Sequence, residues 1–143
     1  MLEAIIHISI IIFSILFMEI VAIFSHKYIM HGPGWFLHKS HHSKNKGKFE
    51  LNDMYFILFS LPSITSIISG VLLSNIYLIS LGIGILCYGI IYILLHDVLV
   101  HDRLGIKIKS KLPYLQKIKK SHLKHHACKH KDGATNFGFI TYK

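Results

Sequence analysis

The chain has 143 residues, enough for one domain. It is 52% hydrophobic with a mean hydropathy of +0.48, too apolar for an ordinary soluble protein. It carries 16 Lys and Arg against 7 Asp and Glu, yet every cation lies within 27–48 or 103–143. That segregation reads as basic flanks that orient membrane spans and lie against anionic headgroups. No aromatic-interleaved basic platform or groove-reading motif points to nucleic acid.

The first element is an apolar run over 4–25, "AIIHISIIIFSILFMEIVAIFS", interrupted only by His7 and Glu19. It lacks a basic start and a small-residue cleavage site, so it reads as a retained span rather than a signal peptide. Residues 54–73 and 76–95 are two further runs without charge. About 20 apolar residues cross a bilayer as a helix. Three such runs leave too little chain to cover them as buried core helices. The expected fold class is therefore all-α: one integral membrane helical domain over 1–143, with three to four transmembrane helices. A short fourth or surface-lying segment is open at "PYLQKIKK". The positive-inside rule puts both basic segments in the cytoplasm. Lys44 and Lys129 are then cytoplasmic and Asn75, in the short turn between spans two and three, lies opposite.

Twelve histidines accompany these runs, and ten form four boxes. His26 and His31 (HX4H) precede His38, His41 and His42 (HX2HH). His96 and His101 (HX4H) precede His122, His125 and His126 (HX2HH). The order repeats across a membrane hairpin. On an α-helix, positions i, i+3 and i+4 share a face, so each HX2HH box can aim three imidazoles at one place. Positions i and i+5 differ by about 140° and about 7.5 Å. An HX4H pair cannot grip one ion from an undistorted helix; it supplies two ions or straddles a helix end. "GPG" at 32–34 and Gly105 supply breaks after each pair.

Ten imidazoles suit two metal ions with about five ligands each, leaving a position open for chemistry. Imidazole suits zinc, copper, nickel and iron. A structural zinc site needs four ligands, usually including cysteine. Interfacial anchoring explains one or two histidines, not ten in a duplicated pattern. A passive metal-binding membrane protein would carry ligands within spans or a loose His-rich tail.

Other polar residues read around this cluster. Glu19, seven residues before His26 on the same helical face, is expected to accept a ligand's other N–H or to join helices. Asp97 and Asp102 each follow a histidine and either do likewise or cap helices. Asn52 and Asp53 are expected to cap span two. Asn136 is a candidate for completing a metal shell. His7 is expected to be a bystander; Cys87 and Cys128 are not expected to pair in a disulfide, and Cys128 in "HHACKH" reads as a spectator thiol or a stray metal ligand.

The words "MEIVAIFSHKYIMHGPGWFLHKSHH", "FELNDMYFILFS", "HDVLVHDR" and "SHLKHHACKHKDGATNFGFI" carry a resemblance. The box order resembles the membrane-bound di-iron hydroxylases and desaturases, and the intervening words resemble the bacterial β-carotene 3-hydroxylases from about Met18 to Ile140. Val98 stands where that family has Gly, and His130 has no counterpart in it. The resemblance implies two iron ions on the ten box histidines, with zinc as a substitute in purified samples and O2 as co-substrate. It implies hydroxylation of carotenoid β-ionone rings at carbon 3, taking β-carotene through β-cryptoxanthin to zeaxanthin. Electrons would come from an external donor such as ferredoxin. Within the same superfamily, the alternatives are carotenoid ketolation and fatty-acid or sterol hydroxylation. The expected location is the cell membrane, multi-pass, with the boxes on the cytoplasmic side.

Overall fold

A computed structural model describes residues 1–43, 49–103, 105–106 and 108–142; Lys44, expected to be cytoplasmic, lies outside them. The described residues contain helices and no strand. In chain order these are α1 (Leu2–Phe24), a π-helical segment π1 (Ser25–Met30), α2 (Trp35–His38), α3 (Asp53–Leu72), α4 (Ile76–Tyr92), a second π-helical segment π2 (Ile93–Val100) and α5 (Pro113–Ala127). Three helices are long and apolar enough to cross a membrane: Leu2–Met30, Asp53–Leu72 and Ile76–Val100. They match the three apolar runs, and the first and third extend through the π-helical segments into the histidine boxes. α5 covers "PYLQKIKK" and carries the last box.

The chain divides into two compact units. One comprises 1–18 and 55–91, the other 19–54 and 92–143.

In the first unit, polarity is inverted relative to a soluble core. Phe13, Leu16, Ile64, Val71 and Leu86 are exposed, whereas Ser14, Ser63 and Ser80 are buried. Large apolar residues face outward because lipid is as apolar as they are; small residues face inward because they let backbones approach. A Cβ on Gly84 would lie 2.5 Å from the Ser14 Cβ and 2.8 Å from the Ile11 carbonyl oxygen. A Cβ on Gly82 would lie 2.9 Å from the Ser63 carbonyl oxygen. The buried hydroxyls stay satisfied: Ser63 Oγ donates to the Gly82 carbonyl at 2.8 Å and Ser14 Oγ to that of Ile10 at 2.7 Å. Ser63 and Gly70 of α3 therefore serve close helix packing. His7 is not idle here, because its Nδ1 lies 3.1 Å from Ser80 Oγ and joins α1 to α4. Asn75 ends the α3–α4 turn, its Oδ1 accepting from the Tyr77 and Leu78 N–H groups at 3.0 and 3.2 Å.

In the second unit, α2 packs on π1 and α5 on π2. Val98, Leu99, Val100, Ile118 and Phe139 are buried, but the largest fully buried side chains are His26, His38, His42 and His125. The interior of this unit is imidazole.

The close α1–α4 contact yields a matched pair of variants. Gly84→Ala should destabilise the protein by about 1–3 kcal/mol through overpacking. Gly89→Ala on the same helix meets nothing within 4 Å and should be neutral or stabilising, by up to about 1 kcal/mol. Thermal unfolding in detergent micelles reads both, and an equal loss from the two would refute the packing assignment.

Candidate metal centre

The ten box histidines gather into two groups of five. His26, His31, His38, His42 and His125 form the first; His41, His96, His101, His122 and His126 form the second. Within each group one ring nitrogen per residue lies within 4.8 Å of all the others.

The HX4H pairs reach this arrangement through π-helical geometry. The His31 N–H donates to the His26 carbonyl at 3.0 Å, and the His101 N–H to that of His96 at 3.1 Å. Closing the turn at i+5 brings residues five apart back above one another. Each HX4H pair therefore lies wholly within one group, not split between two as an undistorted helix would require. Gly32 follows just after π1, and a Cβ there would collide with the Tyr28 carbonyl.

The HX2HH boxes differ from expectation in the opposite sense. Neither aims all three rings at one place. His38 and His42 (i, i+4) enter the first group while His41 enters the second. His122 and His126 enter the second while His125 enters the first. The middle histidine of each box crosses over, so the two groups are built by one rule applied twice.

Hydrogen bonding sets the tautomers of the first group. His26 Nδ1 donates to the Phe137 carbonyl at 3.0 Å. Those of His31, His42 and His125 donate to the Lys131, Cys128 and Thr135 carbonyls, each at 2.8 Å. His38 Nδ1 donates to Asn52 Oδ1 at 2.7 Å. A carbonyl oxygen only accepts, so every Nδ1 carries the proton and every Nε2 presents a lone pair. Those Nε2 atoms face one another: 3.1 Å from His26 to His38, and 3.2 Å from His31 to His125, His42 to His38 and His125 to His42. Lone pairs converging without a proton between them repel, and a cation at their focus removes the repulsion.

In the second group, His41 Nδ1 donates to Glu50 Oε2 at 2.9 Å and His96 Nδ1 to Asp97 Oδ1 at 2.8 Å. Their Nε2 atoms face each other at 2.9 Å, and those of His122 and His126 lie 3.0 Å apart. His101 Nε2 is buried with no hydrogen-bond partner, the sole such side-chain nitrogen or oxygen among the described residues. A buried orphan beside four other inward-facing imidazoles fits a missing cationic partner.

Burial also keeps these rings neutral. It lowers His38 and His125 to about 3 and His42 and His101 to about 4. His41, His122 and His126 fall well below the usual imidazole range, by burial first and then by repulsion from neighbouring imidazoles. Neutral imidazole is the form that binds metal. Glu50 is pushed up by burial, with Arg103 opposing.

Aromatic rings enclose the groups. Phe137 meets His26, His31 and His125 edge-on, with centroids 5.2–5.3 Å away. Phe139 stacks on His26 at 5.4 Å and meets His96 edge-on at 5.2 Å. Tyr92 stacks on His96 at 4.6 Å, and Trp35 lies 5.0 Å from His31.

The other candidates are distributed differently. Asp97 Oδ1 accepts from His96 Nδ1 at 2.8 Å. The acceptor for His26 is the Phe137 carbonyl, not Glu19. Glu19 is buried, and its Oε1 accepts from the N–H groups of Phe139, Ile140 and Thr141 at 2.8–3.0 Å and from Thr141 Oγ1 at 2.8 Å. It anchors the segment whose upstream carbonyls orient four of the five rings of the first group. Asp102 occupies a left-handed turn (φ +51°), its Oδ1 3.7 Å from Lys119 Nζ. Asn136 is also left-handed (φ +61°) and donates to Thr135 Oγ1 at 3.2 Å; it shapes the strap between the Thr135 and Phe137 carbonyls. Asn52 Oδ1 accepts from His38 Nδ1 and orients that ring. Asp53 Oδ2 accepts from the Glu50 N–H at 2.9 Å and pairs with Arg103 at 2.6 Å. Sequence reasoning missed Glu50 altogether. The available signal was three polar side chains, Glu50, Asn52 and Asp53, packed into four residues at the mouth of an uncharged span. Cys128 contributes its carbonyl to His42, while its Sγ lies 3.1 Å from the Asp132 carbonyl.

The Glu19 anchor predicts a local effect. Glu19→Leu removes the acceptor of three backbone N–H groups, each about 1–3 kcal/mol when left unsatisfied. Hydrogen exchange at Phe139–Thr141 should accelerate strongly while α3 exchange is unchanged. Unaltered protection there would refute the anchoring role.

With this geometry established, comparison with known proteins places the chain. The fatty acid hydroxylase family model matches residues 11–143. A beta-carotene hydroxylase of Pantoea ananas is 40% identical over 124 residues, covering 86% of this chain and 70% of the relative. One from Pseudescherichia vulneris is 40% identical over 132 residues, covering 92% and 74%. A chloroplastic beta-carotene 3-hydroxylase of Haematococcus lacustris is 38% identical over 118 residues, 79% of this chain but 37% of the longer relative. No solved structure matches the chain. By the extent of these matches, this chain is a member of the fatty acid hydroxylase family.

Proposed function

We propose that the chain, acting as one domain, is a membrane monooxygenase that hydroxylates carotenoid β-ionone rings at carbon 3. The ten box histidines hold two iron ions, five imidazoles to each. The observation that supports this most is the pair of converging Nε2 sets, whose protons are all turned outward in the first group. The relatives' name, beta-carotene hydroxylase, supports a carotenoid substrate; the proposed course takes β-carotene through β-cryptoxanthin to zeaxanthin.

When bound, the metal pair supplies the activation of O2 needed to oxidise an unactivated C–H bond. The residues of this chain do the rest. The Phe137, Lys131, Cys128 and Thr135 carbonyls and Asn52 fix the rings of the first group by their Nδ1–H bonds. Glu50 and Asp97 do the same for His41 and His96 and raise the basicity of those imidazoles. Phe137, Phe139, Tyr92 and Trp35 exclude water from around the rings, which limits wasteful discharge of reduced oxygen. The balance is one C–H bond and one O2, with two electrons from a donor and two protons from water, giving one C–OH and one water. No flavin, haem or nicotinamide motif is present in the sequence, so the donor is a separate protein such as ferredoxin. Membrane spans suit a substrate dissolved in lipid. The cell membrane is the proposed location, with the boxes on the cytoplasmic side.

Expression in cells that accumulate β-carotene, followed by pigment chromatography, tests the activity. Zeaxanthin should form; a ketone product, or consumption of fatty acids alone, would replace the reading with a related oxidation. His41→Ala and His126→Ala should each abolish product, whereas His7→Ala should retain most of it, with membrane insertion checked separately. Near-normal zeaxanthin from both box variants would overturn the ligand assignment. Purified protein should hold two metal ions per chain, iron natively and zinc as a substitute.

Topology has its own measurement. Cysteine-accessibility labelling should place position 129 in the cytoplasm and position 75 on the opposite side, as the one-sided charge distribution requires. The reverse labelling pattern would overturn the proposed orientation.

A further inference from the structure

The outward hydrogen bonds of the two histidine groups differ in charge. All five Nδ1 atoms of the first group donate to neutral oxygen: four backbone carbonyls and the Asn52 amide. In the second group, two Nδ1 atoms donate to carboxylates, His41 to Glu50 at 2.9 Å and His96 to Asp97 at 2.8 Å. The nearby charges do not cancel this difference. Arg103 pairs most closely with Asp53, at 2.6 Å, and stands 3.6 Å from Asp97. Three carboxylates, Glu50, Asp53 and Asp97, thus share one guanidinium. Asp102 and Lys119 offset each other at 3.7 Å. Near the first group, Lys129 acts on His42 and Asp132 on His31, one charge of each sign.

Resting on the reading that each group holds one ion, we propose that the two sites are unequal. The group containing His41 and His96 binds its ion more tightly and fills first, and Glu50 and Asp97 are the positioning residues responsible. An imidazole whose Nδ1–H donates to a carboxylate is a stronger Nε2 donor, and the negative charge behind the ring compensates the dication. A carbonyl orients its ring equally well but carries no net charge. Such outer partners are worth about 10- to 100-fold in metal affinity. The arrangement also specifies an order of assembly: one ion organises Glu50, Asp97 and the end of π2, and the second enters beneath the 128–137 strap.

The test is a Zn2+ titration of chelator-stripped full-length protein in nanodiscs, against a chromophoric competitor. Wild type should bind two ions in two separated steps. Glu50→Gln keeps an acceptor for His41 but removes the charge; it should weaken the tighter step by about 10- to 100-fold and leave the looser step in place. Asn52→Asp adds a carboxylate behind His38; it should tighten the looser step and narrow the gap, a gain that damage to the fold would not produce. Two indistinguishable steps in wild type, or Glu50→Gln acting on the looser step, would overturn the proposal. Failure of wild type to bind two ions would remove the two-ion reading and this inference together. Two unseparated steps in a protein that still makes zeaxanthin would remove this inference alone.

Discussion

Five Nε2 lone pairs converge because every opposite Nδ1–H is turned outward to donate to an acceptor oxygen, and the rest of the second unit is organised around that constraint. Imidazoles left to themselves would pair N–H to N. Here the protons are held outward by the Phe137, Lys131, Cys128 and Thr135 carbonyls and by Asn52. The result is a pre-set, negatively polarised cage that is costly without a cation and stable with one. Burial reinforces it, since a ring that cannot be protonated cannot escape by becoming a cation itself.

The 128–141 segment is therefore a strap that orients imidazole rings. Its carbonyls need a fixed backbone, and that backbone is tied down at its far end by Glu19 and by the Tyr114 hydroxyl, which donates to the Ile140 carbonyl at 2.7 Å. Gly138 permits the close approach, because a Cβ there would lie 2.9 Å from Glu19 Oε1. A carboxylate placed within an apolar span is costly unless fully bonded; three N–H groups and a hydroxyl meet that requirement. One buried acid thereby stabilises the segment that orients the first group.

The first unit solves a separate problem. It has no imidazole cage, and its helices meet through Gly82, Gly84, Ser14 and Ser63 while their large apolar side chains face outward. That inverted pattern suits lipid, where backbone approach rather than apolar burial holds helices together. His7 belongs to this unit's helix packing, which explains why it stands outside the repeated boxes.

Much was legible in the sequence, for reasons tied to particular residues. Uncharged runs of about 20 residues reveal spans because the bilayer sets the length. The repeated box order reveals two metal-suited halves because ligand type and number are written in one dimension. What the sequence could not disclose was register and partnership. Whether His26 and His31 share a site depends on the helix closing at i+5 rather than i+4, a choice made by tertiary packing and by the collision Gly32 avoids. Whether His41 or His125 joins its own box or crosses to the other depends on which helix face meets which. The outward partners were hidden for the same reason: Phe137 lies 111 residues from His26, and four of the acceptors are backbone carbonyls, which every residue possesses. Composition and spacing determine which groups are present and how many; only the folded chain decides which proton points where, because hydrogen bonds over such separations exist only in three dimensions.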